Sequence, residues 1–346
     1  MQNFVYLNHT PMGKYFKKGI EIYTKEDTLI DVIFTGEIYN SEEICTTLMI
    51  DYIDSEHTIK SAYEAYGIEE TIRILDGNYT FILIDHSILL DTAKIFIARD
   101  LIGIYPLYLH TIPIGYTKET FINSPTILKR LDIMNSISYE PYNNYVISSE
   151  KTIEGGISKT CSPGSYSEFS LSFLVNAKWR FEGETRVSML AIMPLLSQNI
   201  IFDYYSRTLH QILEQSIEKR IRYSDTVICV ANDVYGNCIA KVARKLCILS
   251  NKHFKIEKKL TGYIEVNTVI LHTGFIENLF QIKEINPVIE NRVIRDFIEY
   301  HNLYHIKNIY HDSNSIQFPF WDIMWIQFYM TMPNIYRIEY AKKFFI

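Results

Sequence analysis

Apolar and β-branched residues in the first half of the chain fall into short runs that turn residues separate. Runs of this length and composition predict β-strands. They occur at residues 28–35, 78–85, 94–98 and 106–109. Two helical patterns lie among them, at 41–48 and 59–66, so the first half is predicted to be α+β. Asn40-Ser41-Glu42-Glu43 has the form of a capping box for the first helix, and Gly67 is placed to end the second.

The second half opens with a periodic helix. Its apolar positions fall on one face, namely Leu209, Ile212, Leu213, Ile217 and Ile221. A buried strand over 226–231, a loop and a helix around 239–246 follow, and a further strand is predicted over 266–271. This order of elements indicates an α/β unit. Near the end, six apolar residues between Trp321 and Met332 recur at helical spacing, and we expect them to pack in a core.

Composition narrows the classes of protein. The 346 residues are 47% hydrophobic and carry a formal net charge of −6, so a folded protein is expected and a nucleic-acid partner is not. The most apolar stretch, 318–332, is too short to span a bilayer and contains Asp322, so no membrane span is expected. The five cysteines form no CxxC pair, which favours a reducing, cytoplasmic compartment over a disulfide framework or a zinc site.

Several segments resemble motifs of the glutamine-dependent asparagine synthetases, in the order in which that family carries them. TGEIYN at 35–40 is similar to the family's NGEIYN, and LDGNYTF at 75–81 to its LxGMFAF strand. ARDLIGIYPLY at 98–108 is similar to RDxxGxxPLY, and PGSY at 163–166 to PPGSY. In the second half, Ser224-Asp225 resembles the start of SDVP, and FPFWD at 318–322 resembles VPFLD.

The resemblance implies a fold and a domain order. We expect a truncated α+β Ntn-hydrolase-like sandwich, then a small α/β adenine-nucleotide-hydrolase-like domain with C-terminal helices. The corresponding bounds are a type 2 glutamine amidotransferase-like domain over 1–175, a linker over 176–200 and an asparagine-synthetase-like domain over 201–346. In the family, the first domain releases ammonia from glutamine with an N-terminal cysteine, and the second domain uses ATP and magnesium to activate aspartate.

The family's glutaminase positions differ here. The chain begins Met1-Gln2, and no arginine precedes Arg73 to hold a glutamine carboxylate. The asparagine that donates to the oxyanion aligns with Thr35, and the aspartate that holds the substrate amine aligns with Ser55. Gly36 and Glu37 match the family, as do Arg99 and Asp100. The resemblance leaves two roles open for the last pair, a structural ion pair at a strand end or a ligand contact. We expect no glutaminase activity, since losing one oxyanion donor alone costs about a hundredfold in rate.

The phosphate loop differs as well. The family's SGGLDSS needs small residues so that backbone N–H groups can approach phosphates at a helix N-terminus. The aligned residues are larger or acidic, namely Ala231, Asn232, Asp233, Val234, Tyr235, Gly236 and Asn237. In the family's second acidic motif, only Glu277 is chemically similar. The stretch between the two loops is also shorter than in the family. We therefore expect no cofactor, although the family uses ATP and magnesium.

Two functions remain open at this point. Either the chain is an asparagine-synthetase homologue that has lost both catalytic centres and acts as a binding or structural protein, or it is an active synthetase or amidotransferase with a rebuilt site. A homodimer or a protein partner is predicted at an exposed strand edge near 29–34. His301 and His305 are spaced as metal ligands can be, but they have no third ligand nearby, and His253 lies in a basic patch that favours a solvated face.

Overall fold

The structure is a computed structural model with two compact units, Met1–Met189 and Leu190–Ile346. Each unit is described by itself. The residues that it describes are 4–7, 15–17, 20–22, 30–85, 92–112, 144–148, 157–172, 178–187, 202–259, 266–274, 276–280, 297 and 316–343.

The first unit contains a five-stranded antiparallel sheet with the strand order β11-β10-β6-β5-β4. Its strands are β4 (Ile30–Ile38), β5 (Gly77–Asp85), β6 (Thr92–Arg99), β10 (Ser165–Ser172) and β11 (Lys178–Arg186). Three of the four runs predicted in the first half coincide with β4, β5 and β6. Strand β4 ends three residues later than predicted, because Gly36 and Glu37 continue the ladder with β5.

A second antiparallel sheet has the order β1-β8-β7-β9. It consists of β1 (Phe4–Leu7), β7 (Tyr108–Ile112), β8 (Asn144–Ser148) and β9 (Ile157–Thr160). The predicted run at 106–109 overlaps only the start of β7. A short hairpin, β2 (Tyr15–Lys17) with β3 (Ile20–Ile22), completes the described strands of this unit.

Apolar side chains divide the five-stranded sheet into two faces. One face packs on the second sheet through a cluster that includes Ile82 and Ile97 from the first sheet and Leu109 and Ile147 from the second. The other face packs on helices α1 (Ser41–Leu48) and α2 (Ser55–Ile74) through residues such as Phe81, Leu83, Ile44 and Ile59. The unit therefore has three layers, helix, sheet and sheet.

Two predicted helix boundaries are only partly correct. Helix α1 begins after Asn40 as predicted, but the Asn40 side chain makes no capping bond. It instead donates to the Ile74 carbonyl at 2.8 Å and accepts from the Asp76 N–H at 2.9 Å, because it lies against the α2–β5 turn. Gly67 has a φ of 77° and interrupts α2, yet helix resumes beyond it to Ile74.

Strand β11 lies in the segment that the sequence analysis treats as a linker. It pairs antiparallel with β10 along its length, with a bulge between Glu168 and Phe169. The ordered first unit thus extends past residue 175, and the two units meet in sequence at 189 and 190. The strand was overlooked because its alternation of charged and aromatic residues, KWRFEGETR, contains no run of β-branched residues.

The second unit is built on a parallel sheet with the strand order β13-β12-β14-β15. The strands are β12 (Thr226–Val230), β13 (His253–Glu257), β14 (Thr268–Leu271) and β15 (Ile316–Gln317). Its helices are α3 (Phe202–Ile221), α4 (Val234–Leu249), α5 (Ile276–Phe280), α6 (Ile323–Thr331) and α7 (Asn334–Lys343). The predicted α/β order is confirmed over 202–271.

The C-terminal apolar stripe forms core, as expected. Trp321 and Trp325 are fully buried, and the Trp325 ring stacks on that of Tyr329 at 5.3 Å. Met324 is the exception at 56% exposed, because it begins helix α6 on the solvent side. Among the described helices, none is both long enough and apolar enough to cross a bilayer.

Candidate functional site

Arg99, the last residue of β6, is fully buried, and its guanidinium holds the turn that follows. Nε donates to the Tyr105 carbonyl at 3.0 Å, Nη1 to the Cys161 carbonyl at 2.5 Å and Nη2 to the Gly103 carbonyl at 2.6 Å. Guanidinium N–H groups that donate to backbone carbonyls are not available to a ligand. These contacts favour the structural role of Arg99 over the ligand role.

Asp100 holds the same turn from the other side. Its Oδ1 accepts from the N–H groups of Ile102 and Gly103 at 2.8 and 2.7 Å, and its Oδ2 accepts from the Tyr79 N–H at 3.1 Å. Burial raises the pKa of this carboxyl to about 6, although Arg99 and the three backbone N–H groups act in the opposite direction. The carboxylate therefore joins β5 to the turn after β6.

Two of the sequence motifs meet at this turn. Gly103 has a φ of 70°, and a Cβ there would lie 2.5 Å from Pro163 Cγ, so only glycine fits against the PGSY segment. The Gly164 N–H donates to the Asp100 carbonyl at 2.9 Å. The structure thus brings the Arg99–Asp100 turn and residues 163–166 together through a backbone hydrogen bond and close packing at the two glycines. We refer to residues 99–105 with 163–164 as the framework corner.

Thr35 and Gly36 lie in β4, two strands away from Arg99. Thr35 pairs with Thr80 of β5, and Thr80 pairs with Arg99, so the three side chains share the sheet face that packs on the second sheet. Gly36 has a φ of 125°, and a Cβ there would lie 2.1 Å from the Asn78 carbonyl oxygen. Gly36 is therefore required by the close approach of β5, whatever its part in binding.

Ser55 is the first residue of helix α2, whose N-cap is Asp54. The Asp54 carboxylate accepts from the His57 N–H at 2.7 Å, which satisfies one of the free amides of the first turn. The neighbouring Glu56 reaches β4, where its Oε1 accepts from the Phe34 N–H at 3.4 Å. The structure thus places the start of α2 beside β4, in the strand that carries Thr35 and Glu37.

The cysteines lie in surroundings typical of structural residues, and four of the five are buried. All five are unpaired, and the thiol of Cys45 lies 3.5 Å from the Thr58 hydroxyl inside the helical layer. Burial raises the pKa of Cys161 to about 12 and that of Cys238 to about 11. A nucleophilic cysteine needs a lowered pKa, so these two thiols are not activated.

In the second unit, we refer to the region beyond the carboxyl ends of the adjacent strands β12 and β14 as the crevice. Strand β12 continues through α4 to β13 on one side, while β14 lies on its other side, so the strand order reverses between β12 and β14. In open parallel sheets, ligands bind at such a point, beyond the carboxyl ends of the strands. Residues 231–233 and residues 272–274 follow these two ends, and the sequence analysis assigns the family's phosphate loop to the first of them.

The N-terminus of α4 in this crevice is already occupied by a side chain. Asp233 is the N-cap residue, and its Oδ1 accepts from the Gly236 N–H at 2.6 Å. A Cβ at Gly236 would lie 2.6 Å from the Val230 carbonyl oxygen, so the first turn of the helix packs directly on β12. Tyr235 is 2% exposed, and burial, with Glu277 and Asp233, raises its pKa to about 12.

The opposite wall of the crevice follows β14. The His272 Nδ1 accepts from the Gly274 N–H at 2.9 Å, and the Gly274 carbonyl accepts from Trp321 Nε1 at 3.0 Å. Burial lowers the pKa of His272, although Asp233 acts in the opposite direction. Burial raises the pKa of Glu277, in the first turn of α5, and the charge of Asp233 acts in the same direction. The described lining therefore carries two carboxyl groups, whereas a phosphate site requires donors.

Sequence reasoning overlooked a buried ion-pair network in the second unit. Asp322 caps α6 and pairs with Arg220 Nη1 at 3.0 Å and Lys219 Nζ at 2.7 Å. Burial alone would raise the pKa of Asp322, but Arg220 and Lys219 together lower it. Arg220 also donates to the Ser216 hydroxyl at 2.7 Å. The available clue was Arg220 itself, a charged residue one position before the last apolar residue of the helix stripe.

The structure describes one of the three histidines that the sequence analysis considers. His253 is exposed at the start of β13, and His301 and His305 lie outside the described residues. Within the described part of the chain, no three His, Cys, Asp or Glu side chains are grouped so as to hold a metal ion.

Comparison with known proteins places the first unit in a family. Residues 17–178 match the family model of the glutamine amidotransferase domain. Over 149 residues the chain is 35% identical to asparagine synthetase [glutamine-hydrolyzing] 2 of Oryza sativa subsp. japonica, covering 41% of this chain and 22% of that protein. It is 34% identical over 158 residues to the Zea mays asparagine synthetase, covering 44% and 24%. With the Homo sapiens asparagine synthetase it shares 33% over 90 residues, which covers 25% and 15%.

The matched region therefore defines a class of domain, a glutamine amidotransferase domain. Residues 17–178 resemble the corresponding domain of asparagine synthetases, as the sequence motifs indicated. The match spans less than a quarter of the length of the plant relatives.

Proposed function

We propose that this chain is an asparagine-synthetase-like protein that catalyses neither glutamine hydrolysis nor ATP-dependent amidation and acts as a binding or structural pseudoenzyme. The observation that carries the proposal is the bond from the Gly236 N–H to the Asp233 carboxylate at 2.6 Å. A helix N-terminus binds phosphate through free N–H groups and a positive dipole end. Here the Asp233 carboxylate accepts a hydrogen bond from one of those N–H groups, and it brings a negative charge to the N-terminus of the helix.

Two further observations support loss of the synthetase reaction. The bulk of Tyr235 lies in the first turn of α4, fully packed rather than open to a ligand. Glu277 adds a second carboxyl group across the crevice, with a pKa that burial raises. A phosphate brought to the N-terminus of α4 meets the like charge of Asp233, and such repulsion is stronger in a protein interior than in water.

Loss of the glutaminase reaction is proposed from the first unit. An amide-hydrolysing site needs a donor for the oxyanion and an activated nucleophile. The position that the family uses for the oxyanion donor is Thr35, which lacks the amide group of asparagine. The buried thiol of Cys161 in this unit has a raised pKa, which is opposite to what a nucleophile requires.

The proposed fold assignments follow the same observations. The helix, sheet and sheet layers of the first unit support an Ntn-hydrolase-like sandwich, and the parallel sheet with its strand-order reversal supports an adenine-nucleotide-hydrolase-like second domain. The unpaired cysteines support a reducing, cytoplasmic compartment.

A second copy or another protein is the proposed partner at β4, the terminal strand in the described order of its sheet. The Phe34 N–H points away from β5, since it donates to Glu56. The Val32 N–H points the same way, because strand geometry repeats every two residues. Val32→Pro is therefore expected to abolish a complex at this edge without unfolding the unit. Light scattering of the wild type at tens of micromolar, roughly the range of weak complexes, tests for the complex at β4. A monomer at this concentration, with no partner captured through β4, would contradict the proposal.

The experiment that tests the proposed function is a pair of product assays on the purified full chain. One measures glutamate released from glutamine, and the other measures pyrophosphate released from ATP with aspartate and magnesium. An active asparagine synthetase serves as the positive control. We expect both rates to equal buffer background, and Thr35→Asn not to restore glutamate release, because catalytic residues act as a unit. Turnover that co-purifies with the chain would overturn the proposal and establish a rebuilt site.

A further inference from the structure

Strand β13 is the end strand of the parallel sheet in the described order β13-β12-β14-β15. The His253 N–H donates to the Asp225 carbonyl at 3.0 Å, and the Glu257 carbonyl accepts from the Ala231 N–H at 2.9 Å. In a parallel ladder, alternate residues bond to the same neighbour. His253, Lys255 and Glu257 therefore bond to β12, while the backbone groups of the residues between them face the opposite direction.

Those outward residues are Phe254, Ile256 and, just past the strand, Lys258. No described residue forms a hydrogen bond with the outward backbone N–H or carbonyl of these three residues. The Ile256 side chain is 54% exposed, which leaves the strand accessible beside its backbone. An edge of this kind presents a row of donors and acceptors at the spacing of a β-ladder, which a further strand can pair with.

The charge along β13 selects the kind of strand. Residues 252–259 contain four lysines and a single acidic residue, Glu257. Lys252 is engaged, since its Nζ donates to the carbonyls of Arg222 and Ser224. Lys255, Lys258 and Lys259 are exposed, and no ion pair links them to another described residue. Lysines on an edge disfavour pairing with a second basic edge, and hence with another β13, because like charges would face each other.

We propose that β13 is a docking edge for an extended acidic segment of a partner protein, which adds a strand beside Phe254 and Ile256 and pairs its carboxylates with Lys255, Lys258 and Lys259. Backbone bonds to the outward groups supply the pairing, and the lysines select an acidic sequence over a basic one. This edge is on the opposite side of β13 from β12 and β14, the two strands that lead into the crevice. The proposal is therefore independent of whether the crevice binds ATP.

The test uses a fluorescein-labelled acidic peptide, Thr-Glu-Val-Glu-Val-Glu-Val-Thr, titrated with the full chain and followed by anisotropy. One matched peptide carries lysine in place of glutamate, and another is N-methylated at alternate residues so that it keeps the charge but loses ladder donors. We expect binding of the acidic peptide only. Substituting Ile256→Pro removes an outward N–H and is expected to weaken binding by about tenfold or more, whereas Ile256→Thr keeps that N–H and should change it by less than about threefold.

Each outcome decides the proposal. Equal binding of the N-methylated peptide would mean charge attraction without strand addition and would overturn it. No binding of the acidic peptide at about millimolar chain would also overturn it and leave the lysines as protection against aggregation. Binding to phosphatidylserine vesicles in preference to the peptide would replace the partner by a lipid surface. If Ile256→Pro fails to fold by circular dichroism, the N-methylated peptide and Lys255→Glu still decide between these results.

Discussion

The framework corner of the first unit and the crevice of the second unit both align with asparagine synthetase motifs, but their side chains make different kinds of contact. At the framework corner, Arg99, Asp100 and Gly103 match the family, and their partners are backbone groups of the same chain. In the crevice, the positions that would face a phosphate are Asp233 and Tyr235, and neither matches. Residues that hold the backbone are retained here, and residues that would contact a ligand are replaced. Under the proposed function, the chain keeps the fold of these regions without the chemistry of the family.

The strongest way to break the framework corner is Arg99→Met. The change leaves three buried carbonyls without their donors and is expected to lower the free energy of unfolding by about 5 kcal/mol, since loss of one buried charged partner alone costs about 3–5 kcal/mol. Urea unfolding followed by fluorescence measures it. Arg73→Met is the matched control, because Arg73 pairs with Glu69 on an exposed helix face and should change stability little. Equal effects of the two variants would contradict the role of Arg99.

Gly36→Ala tests whether the family's glycine is retained for the backbone alone. The added Cβ would lie 2.1 Å from the Asn78 carbonyl oxygen, so we expect a loss of about 3 kcal/mol. Gly67→Ala is the control, since Gly67 also has a positive φ but open space around it. The control should lose less, about 2 kcal/mol, because its φ of 77° and ψ of 173° lie in a region that almost only glycine adopts. Thermal unfolding of both variants separates steric clash from backbone strain.

Asp322→Asn tests the buried network of the second unit. The pKa of Asp322 is lowered in the folded state. Its ionised carboxylate therefore stabilises the fold above about pH 4, roughly its pKa in the unfolded chain. This stabilisation is lost as the pH falls through the pKa of the folded state. We expect the variant to be less stable by about 2 kcal/mol at neutral pH and to lose less stability than wild type on acidification. Urea midpoints from pH 7 down to pH 3 (roughly the acid limb) measure both effects. An unchanged acid limb would contradict the network.

Asp100 should give the opposite pH dependence in the first unit. Its pKa is raised to about 6, so the folded state binds this proton more tightly than the unfolded state. Its contribution therefore falls by about 3 kcal/mol as the pH rises through that range, and is constant above it. Asp100→Asn removes this titrating carboxyl group. The free energy of unfolding should then change less between about pH 4 and about pH 6, roughly the pKa values of Asp100 in the unfolded and folded states. A slope that persists in the variant would assign the proton to another group.

The sequence predicts the parts of the fold that local patterns determine. Runs of β-branched residues located β4, β5, β6 and β12, and the apolar stripe located α3. Strand β13 was overlooked, because HFKIE alternates charged with apolar residues and resembles a solvated loop.

Long-range pairs account for the other differences. Arg220 and Asp322 are 102 positions apart, and no spacing rule connects them. Asn40 has the composition of a helix cap but bonds instead to residues more than 30 positions away, since tertiary contacts override a local preference. Within the candidate site, the motif order placed the framework corner correctly in sequence. The capping bond from Gly236 to Asp233 became evident only in the structure.

The most direct test of the central claim is thermal unfolding of the full chain with and without millimolar Mg-ATP. A ligand that binds only the folded state at about a hundred times its dissociation constant adds about 2.7 kcal/mol of stability, so the measurement is sensitive. Because the Asp233 carboxylate occupies the N-terminus of α4, we predict no change in melting temperature. A clear rise that Asn232→Trp abolishes would show that the crevice still holds phosphate, and would contradict the account.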